Sequence, residues 1–202
     1  MATIIIGVGV VAMIEAQQAF IMSNAWSNHA ASGALLAEEI RELTRRLPKH
    51  DPVYGVWMDD DGLGGESLVG WGPEDGELSV EDFDDIDDFD GVIFADIGTV
   101  GLDDGDLPGP IDAFGNVIPE IAIDGEVVFD EEDAMVPMVG WSQQVIVTKV
   151  GSFDTGTVLA DDARTAQIGV GEYPLRVEVV VTYQGQWATA PEEVTRVAWI
   201  VP

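Results

Sequence analysis

The chain opens with "MATIIIGVGVVAMI" (residues 1–14), and this stretch, with the segment that follows it, decides the fold. No charged side chain occurs in it. The continuation, "EAQQAFIMSNAWSNHAASGALLAEEIRELTRRLPKH" (residues 15–50), introduces charge gradually and holds a single proline, Pro48. An apolar start that grades into a polar sequence without an internal proline is typical of one continuous helix.

The end of this segment carries the clearest helical period. Basic side chains gather there, which suits the C-terminal end of a helix dipole, and Pro48 marks a stop. We therefore predict one helix from Met1 to Leu47, with the apolar stripe of its C-terminal part lying against a sheet. The stripe consists of residues that recur every three or four positions: Leu36, Ile40, Leu43 and Leu47.

A helix of this length is too long for the domain that follows it. Forty-seven residues span about 70 Å at about 1.5 Å per residue, whereas the remaining chain makes a domain roughly 40 Å across. The N-terminal part is apolar on all sides, so it must lie in lipid or among copies of itself. Its uncharged stretch is shorter than the roughly 20 residues that cross a bilayer alone. It also lacks the basic start and cleavage site of a secretory signal.

After Pro52 the sequence changes to short apolar runs separated by Gly, Asp and Pro, and no internal repeat is evident. Such runs are typical of strands. Charged and valine side chains alternate over 176–179, which predicts a strand with one wet face that pairs with the next run. We predict an α+β fold: a long N-terminal helix (domain 1–50) precedes an antiparallel β-sheet globular domain (51–202). The predicted strands are 91–97, 117–123, 126–130, 141–150, 174–183 and 194–201, with loops at 59–66 and 101–110 and with Trp141, Trp187 and Trp199 in the core.

The charge of the chain is extreme and unevenly distributed. There are 38 acidic and 8 basic side chains, a net charge of −30, and no Lys or Arg lies between Lys49 and Lys149. Such a surface repels phosphate backbones, which argues against nucleic acid as a partner. Salt screens the self-repulsion beyond about 10 Å, so a saline habitat explains the composition. The absence of cysteine excludes disulfides and thiolate metal sites.

"DDIDDFDG" (residues 84–91) is the densest acidic stretch. It fails the EF-hand pattern, because Ile86 and Ile97 stand at the first and twelfth positions when the loop is counted from Gly91. We expect a solvated acidic surface here. An irregular calcium loop is the alternative, with Asp87, Asp88 and Asp90 as its metal ligands.

The sequence shows no catalytic constellation. His29 and His50 lack metal-ligand spacing, the serines lack a G-x-S-x-G setting, and the glycines near the start follow no strand. Close carboxylate pairs arise by chance among so many acids, so they do not indicate a glycosidase. We predict that the protein is not an enzyme and has no cofactor, calcium apart.

The N-terminal pattern resembles that of type IV pilins and pseudopilins, in which an apolar helix with a glycine step leads into a polar extension and a β-rich domain. "MATIIIGVGVVAM" (1–13) is similar to the interior of that family's N-terminal segment, with Gly7 at the glycine midway along it. "DDIDDFDG" resembles an aspartate-rich stretch of minor pilins of the mannose-sensitive haemagglutinin type. The resemblance implies that further apolar residues, a glutamate and a short basic leader precede Met1.

The resemblance also implies a function. Helices of this family bundle in the core of an extracellular, adhesive filament (a fimbrium), and the same helix holds the precursor in the inner membrane. We therefore expect a structural subunit that polymerises with copies of itself. The alternative is a membrane-tethered extracellular module that binds cations or glycans and does not polymerise. The predicted assembly interface consists of Ile4, Ile5, Ile6, Val8, Val10, Val11, Met13 and Ile14.

Overall fold

A computed structural model of the chain describes residues 2–62, 64–96 and 105–202, with side chains described from residue 13 onward. One long helix is followed by two sheets and a short 3-10 turn at Asp87–Phe89. In chain order, the helix and strands are α1 (Ala2–Thr44), β1 (Trp57–Asp60), β2 (Glu66–Val69), β3 (Ile93–Ala95), β4 (Leu107–Pro108), β5 (Trp141–Gly151), β6 (Asp154–Val158), β7 (Leu175–Tyr183) and β8 (Glu192–Val201).

The predicted α+β arrangement, an N-terminal helix before a mostly antiparallel sheet, is confirmed. α1 ends at Thr44, three residues before the predicted Leu47. The N–H of Leu47 donates to the carbonyl of Thr44 at 3.1 Å, which turns the chain out of the helix. This early end agrees with the steric effect of Pro48, which disfavours helical geometry in the residue before it.

The last turns of α1 lie on the large sheet. Leu36, Ala37 and Ile40 are buried in the hydrophobic core, and Leu43 and Leu47 pack at its margin, so the predicted stripe is confirmed. Gly33 marks the closest approach, because a Cβ atom there would lie 2.9 Å from Cγ1 of Val194 in β8. A glycine that weakens the isolated helix thus allows the helix to pack tightly on the sheet.

The large sheet has the order β4-β3-β5-β7-β8, with β6 paired to β5. The predicted pairing of the last two strands is confirmed, since β7 and β8 are antiparallel with Val177 opposite Trp199. Strand β4 departs from the antiparallel prediction, because it runs parallel to β3. The two short strands β1 and β2 form a separate hairpin, so the predicted loop at 59–66 is partly strand.

The long strands were predicted well and the short ones poorly. The runs 141–150, 174–183 and 194–201 correspond to β5, β7 and β8. The run 91–97 contributes only the three residues of β3, and Ile97 lies outside the described residues, as does most of the predicted loop at 101–110. The runs 117–123 and 126–130 form isolated bridges instead of strands, because tight turns interrupt them before a ladder can extend.

Residues 110–138 form three successive tight hairpins, which we call the three-hairpin unit. Each has a turn residue with positive φ at the equivalent position: Gly115 (83°), Gly125 (90°) and Asp133 (61°). The backbone N–H groups of residues 120, 128 and 136 donate to the carbonyls of 136, 120 and 128, respectively, at 2.8 to 3.0 Å. These three bonds close a ring. The unit is therefore an internal repeat, and the expectation of no repeat is wrong.

The tryptophans divide between core and surface. Trp141 is 5% exposed and Trp199 packs at the core margin, as predicted. Trp187 is 90% exposed, so its predicted core position is wrong. It lies in the loop between β7 and β8, beyond the end of the paired strands, where no sheet face covers it.

Candidate metal centre

The aspartate-rich segment (84–91) lies between the helix and β3, and much of it is buried. Its 3-10 turn presents Phe89 to the hydrophobic core, and Ile86 lies beside it, 2% exposed. The N–H of Ile86 donates to the carbonyl of Pro48 at 3.1 Å, which ties the segment to the end of the helix. The expectation of a solvated acidic surface is wrong here, because these apolar side chains draw the neighbouring aspartates inside.

Two of these aspartates cap each other's backbone. Oδ1 of Asp85 accepts from the N–H groups of Asp87 at 2.8 Å and Asp88 at 3.2 Å. Oδ2 of Asp88 accepts from the N–H groups of Asp84 and Asp85, each at 3.0 Å. One oxygen of each carboxylate is thereby fixed to the main chain, and this fixes the direction of its second oxygen.

The second oxygens, Oδ2 of Asp85 and Oδ1 of Asp88, are buried without a hydrogen-bond partner, as are both carboxylate oxygens of Glu74. Asp88 belongs to two overlapping groups, one with Glu74 and Glu77 and one with Asp84 and Asp85. Within each group, one carboxylate oxygen from each residue lies within 4.8 Å of those from the other two. We call these five residues the acidic cluster. Its oxygens are the kind of ligand that a hard divalent cation takes.

The electrostatics of the acidic cluster are unfavourable when it is ionised without a cation. Burial, reinforced by Glu77, raises the pKa of Glu74 to about 8. Burial, reinforced by Asp87, raises the pKa of Asp85 to about 8, and burial raises that of Asp88 to about 7. A carboxyl group whose pKa is higher in the folded than in the unfolded protein stabilises the fold when the pH is below its unfolded pKa of about 4. This stabilisation is lost as the pH rises through the folded pKa.

Asp87 points to a different, positively charged side of the turn. Its Oδ1 lies 2.8 Å from Nδ1 of His50, and its Oδ2 accepts from the N–H of Gly72 at 3.3 Å. Both lysines of the chain, Lys49 and Lys149, are attracted to its charge. Burial still raises the pKa of Asp87, to about 6. Asp87 is therefore compensated by protein groups.

The two lysines on this side are already engaged, and His50 is neutral. Burial, and then the nearby Lys49, lowers the pKa of His50 to about 4, so its ring is neutral at pH 7. The Lys49 ammonium donates to the carbonyl of Tyr173 at 2.9 Å. Lys149, fully buried, donates to the carbonyl of Asp161 and lies 5.2 Å from the Trp71 ring centroid. None of these donors satisfies the unpartnered oxygens of the acidic cluster.

Of the three predicted metal ligands, the structure places only Asp88 in the acidic cluster. Asp87 faces His50, as described above. Oδ1 of Asp90 accepts from the N–H of Val147 at 2.8 Å, so this carboxylate joins the segment to β5. Asp87 and Asp88 point in different directions because the 3-10 turn places successive side chains about 120° apart, and Asp90 follows the turn with an extended backbone.

Sequence reasoning missed Glu74 and Glu77 as partners of the aspartates. These two residues hold a tight turn of their own, in which Glu77 N–H donates to the carbonyl of Glu74 at 3.1 Å and Oε2 of Glu77 accepts from Glu74 N–H at 2.9 Å. No local pattern connects this turn to the aspartates. The burial itself had a signal: Phe83, Ile86 and Phe89 recur at every third position, which is the period of a 3-10 turn with one apolar face.

The predicted assembly interface lies mostly outside the described side chains. Those of Ile4, Ile5, Ile6, Val8, Val10 and Val11 are not described. Met13 and Ile14 are 63% and 48% exposed. Every side chain from residue 13 to 28 is exposed. His29 is half-buried and packs on the domain, with its ring centroid 4.4 Å from that of Tyr183. Within the described ranges, no helix combines the length and apolar character that crossing a bilayer requires.

The geometry thus presents two unusual features, a buried acidic cluster and an exposed apolar stretch of helix. Comparison with family models, with curated proteins and with solved structures finds no match to this chain.

Proposed function

We propose that the protein is a pilin-like structural subunit that polymerises through its N-terminal helix into an extracellular filament. The observation that carries this proposal is the exposed stretch of α1 between residues 13 and 28. At about 1.5 Å per residue it is about 24 Å long. It carries six large apolar side chains in solvent: Met13, Ile14, Phe20, Ile21, Met22 and Trp26.

These six side chains do not form one stripe. At about 100° per residue, Met13 and Phe20 share one face of the helix, Ile14 and Ile21 a second, and Met22 and Trp26 a third. A helix that docks on one partner surface needs a single apolar face. Apolar side chains on three faces favour a helix surrounded by several others, as in the core of a helical filament.

The β domain suits the outside of such a filament. It carries all of the net negative charge, because the acidic and basic side chains of residues 1–50 cancel. The large sheet holds only the last turns of the helix. Copies of the domain therefore repel one another unless salt screens them, while the helices attract one another by apolar burial. The inner membrane as the location of the precursor and the cell surface as that of the filament remain predictions from the resemblance. The absence of enzymatic activity remains a prediction from the lack of a catalytic constellation in the sequence.

A charge placed on the exposed helix should block assembly. Phe20 is 73% exposed, so Phe20→Glu should leave the domain folded and remove a contact between helices. Burying a Phe contributes about 1.5–3 kcal/mol, so we expect the concentration needed for assembly to rise at least about tenfold. Electron microscopy and analytical ultracentrifugation of the full chain measure this directly.

Phe153→Glu is the matched control for this change. Phe153 is fully exposed on the hairpin between β5 and β6, so the same substitution there should leave assembly unchanged. A wild-type chain that stays monomeric without detergent at high concentration would overturn the proposal. So would equal effects of the two variants.

Truncation provides an independent prediction. A fragment starting at Ser27 keeps every helical side chain that is buried in the domain, since burial begins at Gly33. We expect this fragment to be a monomer with the same thermal stability as the domain in the full chain, while the full chain associates. Sedimentation of the two proteins at equal concentration is the measurement, and association of the fragment to the same degree would contradict it.

A membrane-tethered binding module remains the second candidate function, and the acidic cluster is the observation that favours it. In that case the helix is only an anchor. The two candidates differ in oligomeric state, because the first forms long particles and the second stays monomeric or forms small oligomers. Microscopy of native material therefore distinguishes them.

A further inference from the structure

We propose that the acidic cluster (Glu74, Glu77, Asp84, Asp85 and Asp88) is a binding site for a calcium ion. This inference is independent of filament assembly. It rests on two observations: carboxylate oxygens that are buried without a hydrogen-bond partner, and carboxylates that approach one another. Asp85 and Asp88 are 1% and 0% exposed, and each has one carboxylate oxygen without a hydrogen-bond partner.

These oxygens cannot turn away to find a partner. The other oxygen of Asp85 holds two backbone N–H groups, and so does the other oxygen of Asp88. Rotating either side chain outward would break both of its bonds. A buried polar atom without a partner is costly, and a buried charge more so. The turn thus fixes two carboxylate oxygens in the interior at a cost that a bound cation would remove.

Among the described residues, no basic side chain hydrogen-bonds to these free oxygens. Both lysines donate to backbone carbonyls, and Nδ1 of His50 faces Asp87. The carboxylates of the acidic cluster therefore face one another and not a base. Buried carboxylates that lie close together either keep a proton on one of them or take a counter-charge between them. A metal ion is the counter-charge that could enter from solvent, since Glu77 is only half-buried and Asp84 is exposed.

The dimensions fit calcium. Oxygens bound to Ca²⁺ lie about 2.3–2.6 Å from the ion, so opposite ligands are about 5 Å apart. Within each group of the acidic cluster, one oxygen from each residue lies within 4.8 Å of those from the other two. Asp88 is common to both groups, so we place it at the centre of the coordination, with Asp85 and Glu74 beside it. Several carboxylates in irregular array suit Ca²⁺ better than Mg²⁺, which requires near-ideal octahedral geometry and gives up its water reluctantly.

The experiment is thermal unfolding of the full chain, with a calcium titration by calorimetry. Chelator-treated protein is compared in CaCl₂, in MgCl₂ and in NaCl at matched ionic strength. A calcium concentration about 100 times the Kd lowers the unfolding equilibrium constant about 100-fold, which for a chain of this size raises the Tm by about 5–10 °C. Screening by NaCl should give a smaller rise, because it acts on the whole acidic surface equally.

Asp88→Asn tests the site itself. The asparagine carbonyl can still accept from the backbone N–H groups of Asp84 and Asp85, so the turn should keep its fold. Without calcium the variant should be at least as stable as the wild type, because a repelling charge is gone. It should lose the calcium-specific rise in Tm and the calorimetric signal. Glu81→Gln removes one exposed charge nearby and should keep both.

Three results would overturn the proposal. Equal Tm rises in CaCl₂ and in matched NaCl would show screening alone. A calcium response that Asp88→Asn retains would place the ion elsewhere. A rise with MgCl₂ equal to that with CaCl₂ at the same concentration would remove the assignment to calcium. None of these results depends on whether the chain forms filaments, so this proposal and the proposed function can fail separately.

Discussion

Replacing Leu36 by alanine should lower the free energy of unfolding by about 3–4 kcal/mol, whereas the same change at Leu35 should lower it by less than about 1 kcal/mol. The two leucines are adjacent in α1. Leu36 is 2% exposed and belongs to the hydrophobic core, while Leu35 is 61% exposed. Truncating Leu36 leaves a cavity between the helix and the sheet. Truncating Leu35 leaves no comparable cavity, because that side chain mostly faces water.

This pair controls for helix propensity, because both substitutions are Leu→Ala at neighbouring positions of one helix. Urea unfolding followed by circular dichroism gives both free energies, and the dependence on urea should stay unchanged if the unfolded state is the same. Equal losses at the two positions would mean that α1 does not lie on the sheet by the face described here.

Gln143→Leu should cost a similar amount, about 3–4 kcal/mol, although it makes the interior more apolar. The Gln143 side chain is fully buried in β5. Its Oε1 accepts from the N–H of Ile111 at 2.8 Å, and its Nε2 donates to the carbonyls of Leu36 at 2.8 Å and Ile111 at 3.1 Å. Leucine fills nearly the same volume but leaves the N–H and carbonyl of Ile111 without this partner, at about 1–3 kcal/mol for each unsatisfied group.

The matched control is Gln144→Leu. Gln144 is the next residue of the same strand, is half-buried, and points to the opposite face of the sheet. We expect a change below about 1 kcal/mol there. If both variants unfold at the same urea concentration, the hydrogen bonds of Gln143 contribute little and the interaction between α1 and β5 depends on apolar packing alone.

The sequence predicted those parts of the fold whose side-chain period is regular over many residues. The stripe that begins at Leu36 repeats over three turns, and the first five residues of β7 alternate, so both were found. The three-hairpin unit was missed as a repeat because its members are unevenly spaced, eight or ten residues apart, and share only apolar bridge positions around a turn residue. That residue is glycine in two hairpins and Asp133 in the third.

The acidic cluster was missed for a different reason. A high density of charge favours solvent exposure on average, and that average does not apply to Asp85 and Asp88, which are carried inward by Ile86 and Phe89. The carboxylates of Glu74 and Glu77 lie close to Asp88 only because the fold brings the two segments together. Such convergence is a tertiary property, and no pattern within either segment encodes it.

The closed ring of the three-hairpin unit has a consequence for aggregation. An open sheet ends in an edge strand whose unpaired N–H and C=O groups can recruit a strand from another molecule. In this unit, residues 120, 128 and 136 donate and accept within the ring, so none of these groups is left to recruit a neighbour. Three short apolar hairpins can therefore stay at the surface beside exposed Phe114, Ile123 and Phe129 without offering a template for β-strand addition.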